Sequence, residues 1–291
     1  MNAKTATLCG LLAIMLWGSL VGLIRSVTQH FGPLVGAACI YTLGSLLLLC
    51  FIGLPRLKNC SPGYLFGCGL LFVAYEICLT LSIGFAHHHR QAIEVSMLNY
   101  LWPCLTVLLA IVINRQHASL WIIPGSLLAL FGVFRILSGE AFSLADLHDH
   151  VTDNPLSYGL ALGGAMIWAL YCNLTRRFAR GQNGITLFFI LTAASLWLIS
   201  LYGEKTPLPA ELTAYAELAA VAVAMAAGYA LWNMGILHGN MTLLAIASYF
   251  TPVLSSAFAA LWLQNALHWP FWQGVILVTV GSLLCWWSTR K

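Results

Sequence analysis

The chain has 291 residues, 60% hydrophobic and only 8% charged, with a mean hydropathy of +0.85 and a net charge of +4. A soluble domain carries about 25% charged residues, so this composition excludes a water-soluble globular fold and points to an integral membrane protein. Its basic residues are spread thinly between apolar blocks, which leaves no stripe able to neutralise a run of phosphates and excludes nucleic acid as a partner.

A helical bilayer crossing takes about 20 mostly apolar residues. Runs of that grade stand at 5–24, 34–53, 63–86, 93–113, 118–138, 156–175, 184–203, 217–237, 241–263 and 270–289. They predict an all-α integral membrane protein of ten transmembrane helices in a lipid bilayer. The first run follows Lys4, is long and lacks a small-residue cleavage pattern, so it reads as a retained helix and not a secretory signal. Turn chemistry and charge separate the runs at Gly32-Pro33, Pro55 to Gly63, Asn114-Arg115, Asp153 to Pro155, Asn183-Gly184 and Pro207 to Pro209. Eight of the nine cysteines fall inside apolar runs, Cys60 being the exception. That distribution argues for small buried hydrophobes and against a disulfide framework.

Lysine and arginine bias sets the orientation. With the N-terminus cytoplasmic, the inner side collects Lys4, Arg56, Lys58, Arg115, Arg176, Arg177, Arg180, Arg290 and Lys291, and the outer side only Arg25, Arg90, Arg135 and Lys205. Ten crossings then place both termini in the cytoplasm.

Self-similarity divides the chain. A shift of 149 superposes Tyr100 and Pro103 on Tyr249 and Pro252, and Gly125 and Gly132 on Gly274 and Gly281; a nearby shift of 151 superposes Trp17 and Arg25 on Trp168 and Arg176. The expected organisation is a first five-helix repeat at 1–139, an external connecting loop at 140–155 and a second five-helix repeat at 156–291. Five is odd, so the second copy enters the membrane from the opposite side and the repeat is inverted. Secondary transporters have this architecture, with a substrate site near the midplane on interrupted helices.

Pro103 and Pro252 are the expected interruptions. Neither can donate to the carbonyl four residues earlier, at Asn99 and Ser248, and the freed carbonyls could accept from a substrate ammonium. The other reading is a plain kink, with water or a neighbouring Ser/Thr bonding the carbonyl. Aromatic residues at mid-span need partners for their polar atoms, which a partly wet cavity supplies: Trp17, Tyr75, Tyr100, Trp102, Trp168 and Tyr171 in the first six runs, then Tyr229, Trp232 and Tyr249. Trp168 and Tyr171 share one helical face, as do Tyr229, Trp232 and the amide Asn233. With Asn99 they make a wall suited to a flat apolar solute with a polar head, bound by stacking and cation–π contact; tight helix packing is the alternative.

Glu76 is the only ionisable residue near the middle of a span, a costly placement that marks proton or substrate paths. It reads as a coupling-proton carrier, a partner for a substrate amine, or a protonated structural carboxyl. Glu94 stands nearer a helix end and reads as solvated or capping. The His87-His88-His89 run lacks further ligands at metal spacing, and no haem pair, metal cluster or nucleophile with its base lies inside the spans. The sequence therefore predicts no cofactor, no metal and no enzymatic activity.

The segments AIEVSMLNYLWPCLTVLLAIV, GILHGNMTLLAIASYFTPVLSSAFAALWL and FWQGVILVTVGSLLCWW, with Tyr75-Glu76 and NGITLF at 183–188, resemble the EamA-type drug/metabolite transporter superfamily, specifically its bacterial aromatic amino acid exporters. The similarity runs almost end to end and is weakest at about 140–155. It implies an inner-membrane exporter of phenylalanine, tyrosine and tryptophan, and of some toxic aromatic compounds. Protons as coupling ion, an exporter of drugs or quaternary cations, and a passive facilitator remain open alternatives.

Overall fold

Backbone groups inside a bilayer have no water to bond, so each apolar run satisfies them by coiling into helix. The computed structural model describes residues 2–113, 115, 119–137, 144–180, 182–203, 207–239 and 241–288, and it is helical with no strand among them. In chain order the helices are α1 Ala3–Phe31, α2 Pro33–Phe51, α3 Gly69–Gly84, α4 His89–Asn99, α5 Trp102–Ile113, α6 Ile122–Leu137, α7 Leu144–Asp153, α8 Pro155–Phe178, α9 Ile185–Ser200, α10 Leu212–His238, α11 Met241–Ser248, α12 Thr251–Trp262 and α13 Trp269–Ser288. A π-helical turn at Gly63–Cys68 leads into α3. Among the described residues seven stretches are long and apolar enough to cross a membrane, His89–Ile113 one of these, and Ile122–Leu137, Ile185–Ser200 and Thr251–Trp262 are shorter apolar helices.

Sequence punctuation explains the ends. Asn2 caps α1 by accepting from the Thr5 N–H at 2.8 Å, and Gly32, at φ 79°, makes the left-handed turn that lets Pro33 open α2. Asn154 caps α8 in the same way, accepting from Ser157, with Pro155 at the first helical position.

Three expectations are corrected. The first run does not stop at residue 24: α1 continues to Phe31 and carries Arg25 into a buried position, where its guanidinium donates to the carbonyls of Gly84 (3.2 Å) and Ile83 (3.5 Å) at the C-terminus of α3. A cation beside the negative end of a helix makes that burial tolerable. The stretch at 140–155 is not all loop, because residues 144–153 form α7; residues 138–143 lie outside the described part. Glu94 is neither solvated nor a cap. It is 1% exposed and bonded by Arg90 one turn earlier and by Tyr158 of α8, both at 3.0 Å.

Helices pair mainly across the two sequence halves: α1 with α10, α2 with α9, α3 with α8, and α6 with α13. The α6–α13 pair packs backbone against backbone. A Cβ on Gly125 would stand 3.0 Å from the Gly281 carbonyl, and one on Gly132 would stand 2.7 Å from that of Gly274. Only glycine admits backbones at that separation. Large apolar side chains such as Leu8, Met15, Phe66, Leu70 and Val112 face outward and are exposed, the arrangement of a surface solvated by lipid.

Candidate functional site

Both proline-bearing runs break where the sequence places them. Pro103 has no N–H for the Asn99 carbonyl, so α4 ends at Asn99, Tyr100 and Leu101 form a turn, and α5 restarts at Trp102. Likewise α11 ends at Ser248 and α12 restarts at Thr251. The two breaks are not equivalent. The Ser248 carbonyl accepts from Thr251 Oγ1 at 2.6 Å, so the expectation of a freed carbonyl opposite Pro252 gives way to local bonding by a neighbouring hydroxyl.

Between the breaks lies a cavity of about 260 Å³, near the small end of ligand pockets, which start at about 300 Å³. Trp17, Trp232 and Tyr229 form one side, with ring centroids 5.2 Å (Trp17 to Trp232) and 5.4 Å (Trp17 to Tyr229) apart. Gly228 lets Trp17 lie against α10, since a Cβ there would meet the indole nitrogen at 2.7 Å. Trp168 and Tyr75 form the other side at 4.4 Å, with Trp102 edge-on to Trp168 at 6.3 Å. Tyr100 and Asn99 line the cavity at the first break, and Ser248 and Thr251 at the second.

Glu76 sits in the wall, 1% exposed. Tyr41 of α2 donates to its Oε2 at 2.5 Å and Tyr229 of α10 donates to its Oε1, while Thr80 Oγ1 lies 3.2 Å from the Tyr41 hydroxyl. The carboxylate thus joins three helices. Asn99 donates through Nδ2 to the Tyr75 hydroxyl at 3.4 Å, and its Oδ1 is buried without a partner.

Of the residues singled out from sequence, Trp17, Tyr75, Glu76, Asn99, Tyr100, Trp102, Trp168, Tyr229 and Trp232 meet at this cavity. Tyr171 stands behind Trp168, stacked on it at 4.8 Å, and Tyr249 packs toward Trp286 at 6.2 Å. The side chain of Asn233 lies outside the described residues. Sequence reasoning missed Ser96, Cys172 and Thr251, small polar residues that become visible only once helix register is known, and the apolar liners Leu20, Ile24 and Met225. It also missed Phe72, fully buried and in ring contact with Trp168, Tyr171 and Tyr229, which ties the two aromatic sides together.

The histidine run lies far from this cavity, at the end of the bundle where α4 and α8 begin. His87 Nδ1 pairs with Asp153 at 3.1 Å, His88 caps α4, and His89 reaches the Leu263 carbonyl and Gln29. The amide of Gln91, then His87, hold the Asp153 carboxyl below its usual range.

A broken-helix bundle with an aromatic cavity between its breaks has the form of a small-molecule transporter. The sequence model of the EamA-like transporter family matches residues 155–287. Across its full length the chain is 51% identical to the aromatic amino acid exporter YddG of Escherichia coli and 51% identical to the protein of that name from Salmonella typhimurium, with 100% of each chain covered. A third relative of that name, from Ancylobacter novellus, is 29% identical over 264 residues, 88% of either chain. A solved crystal structure superposes with a TM-score of 0.69 at 25% identity, covering 97% of this chain and 96% of that one. The chain belongs to the EamA-like transporter family and is a multi-pass membrane protein.

Proposed function

We propose that this protein exports aromatic amino acids across the cell inner membrane by alternating access, using the cavity between the two broken helices as its substrate site. The observation that carries the reading is the wall of Trp17, Tyr75, Trp168 and Trp232 around a space of about 260 Å³, beside polar groups at both breaks. An aromatic side chain stacks on such a wall, and the ammonium group is received at the first break by Asn99, whose Oδ1 lacks a partner. The names of the full-length relatives support the same substrate class.

Two inverted five-helix repeats, 1–139 and 156–291 with 140–155 connecting them, are supported by the α6–α13 contact. Under the shift of 149, the pair Gly125–Gly281 maps onto the pair Gly274–Gly132, as a two-fold axis in the membrane plane requires. Seven long spans and three shorter apolar helices among the described residues support a reading of ten crossings. With the lysine and arginine bias, that places both termini in the cytoplasm.

Protons are the proposed coupling ion and Glu76 their carrier. Ionised, its two oxygens accept from Tyr41 and Tyr229; protonated, it donates to the Tyr41 oxygen, whose own O–H turns to donate a hydrogen bond to Thr80 Oγ1. The carboxyl keeps hydrogen-bond partners in both states, the condition for cycling a buried acid. The test is efflux of labelled phenylalanine from proteoliposomes, with and without a proton gradient. Gradient-driven flux that Glu76→Gln reduces to the downhill rate is expected. Downhill flux unchanged in both proteins sinks the coupling and leaves a passive facilitator.

The carboxylate among aromatic rings also favours a second reading, an exporter of aromatic drugs or quaternary cations. Equal competition by phenylalanine and by its decarboxylated amine would support that reading over the first.

A further inference from the structure

Among the described residues one pair of thiols is in contact. Cys104 follows Pro103 on α5 and Cys285 lies on α13, and their Sγ atoms are 3.4 Å apart, with Cys104 4% and Cys285 0% exposed. The geometry around them is built. Ser126 of α6 anchors its hydroxyl on the Ile122 carbonyl and takes the Cys104 S–H at 3.4 Å, with Cys285 Sγ at 3.6 Å. Gly125 keeps the far side of Cys285 clear, because a Cβ there would stand 3.0 Å from Sγ. A disulfide needs the sulfurs at about 2.05 Å, so the pair closes by bringing two sulfurs already in contact nearer together.

The two helices belong to different packing groups. α5 packs mainly on α8, and α13 on α6. We propose that Cys104 and Cys285 form an oxidisable dithiol whose disulfide fastens α5, the second half of the first broken helix, to the α6–α13 pair and stops the transport cycle. In forming it, two S–H bonds break, one S–S bond forms, and two electrons and two protons pass to a lipid-soluble two-electron oxidant of the quinone or azodicarboxamide class. Burial away from water selects an oxidant of that solubility. The arrest rests on the carrier reading given above; formation of the bond does not.

The test treats protein in proteoliposomes with diamide, maps linked peptides by mass spectrometry and measures phenylalanine efflux on the same sample. Expected are a link between residues 104 and 285, flux falling in proportion to the linked fraction, and recovery with dithiothreitol. Cys104→Ser and Cys285→Ser should transport normally and resist diamide; Cys104→Ala serves where a serine variant fails to fold. Absence of the link overturns the site, and a linked protein that transports at the unlinked rate overturns the arrest. Untreated protein with no flux would count against the carrier reading while the mass spectrum still decides the site.

Discussion

Trp168 is held by four aromatic neighbours, Tyr75 at 4.4 Å, Tyr171 at 4.8 Å, Phe72 at 6.2 Å and Trp102 at 6.3 Å, so its ring plane is fixed before any solute arrives. A rigid wall of this kind spares a stacking ligand the entropy of ordering it. An aromatic pair contributes about 0.5–1.5 kcal/mol beyond its buried area, so Trp168→Ala should weaken phenylalanine binding about tenfold, while Trp168→Phe keeps most of it. Cys172 lines the same cavity and supplies the readout. In a variant retaining Cys172 as its one thiol, phenylalanine should protect it from a maleimide, and Trp168→Ala should raise the concentration needed; unchanged protection would remove Trp168 from the site. At this scale the sequence was legible wherever chemistry conflicts with hydrocarbon, as for Glu76, Asn99 and the mid-span indoles. Cys172 and Ser96 create no such conflict and stayed invisible, as did the Cys104–Cys285 pair, whose members lie far apart in the chain and read singly as small hydrophobes.

The helices carry information that single side chains do not. Gly132 faces backbone, with the Gly274 carbonyl and the Val278 N–H both 2.7 Å from where its Cβ would be, whereas Gly163 of α8 has nothing within 4 Å of that point. In a helix, alanine is favoured over glycine by about 0.5–1 kcal/mol, but over-packing costs about 1–3 kcal/mol. Gly132→Ala should therefore lower the midpoint of thermal unfolding in detergent, and Gly163→Ala should hold or raise it. Equal effects would show that the α6–α13 contact is looser than described. The breaks give a second contrast. Thr251 already bonds the Ser248 carbonyl, so restoring an N–H by Pro252→Ala changes little at the cavity, while Pro103→Ala satisfies the Asn99 carbonyl and should slow phenylalanine efflux more. The reverse order would mean that the second break is the one that receives the ammonium. Hydropathy marks both runs as spans, yet a window of about 20 residues averages over a proline; the break itself is read from backbone chemistry, and the hydroxyl that bonds the second carbonyl is apparent only in three dimensions.

At the scale of the whole molecule the halves are interleaved. Because α1, α2, α3 and α6 each pack chiefly against a helix of the other half, rocking the halves as rigid bodies would slide every major interface at once. Movement of cross-paired helices about the cavity, α3 with α5 and α8 on one side and α6 with α13 on another, preserves most of those contacts. Composition announces the membrane, but cross-pairing depends on which faces meet, and that is not periodic in the sequence. Orientation itself is open to direct test. Lys58 precedes the π-helical turn at the end of the bundle where α2 finishes, and Asp149 sits on α7 at the end where α8 begins; both are exposed. In a cysteine-free background, Asp149→Cys should react with an impermeant maleimide on intact cells, and Lys58→Cys only after the membrane is permeabilised. The opposite pattern would put both termini outside and overturn the orientation argued from the lysine and arginine bias.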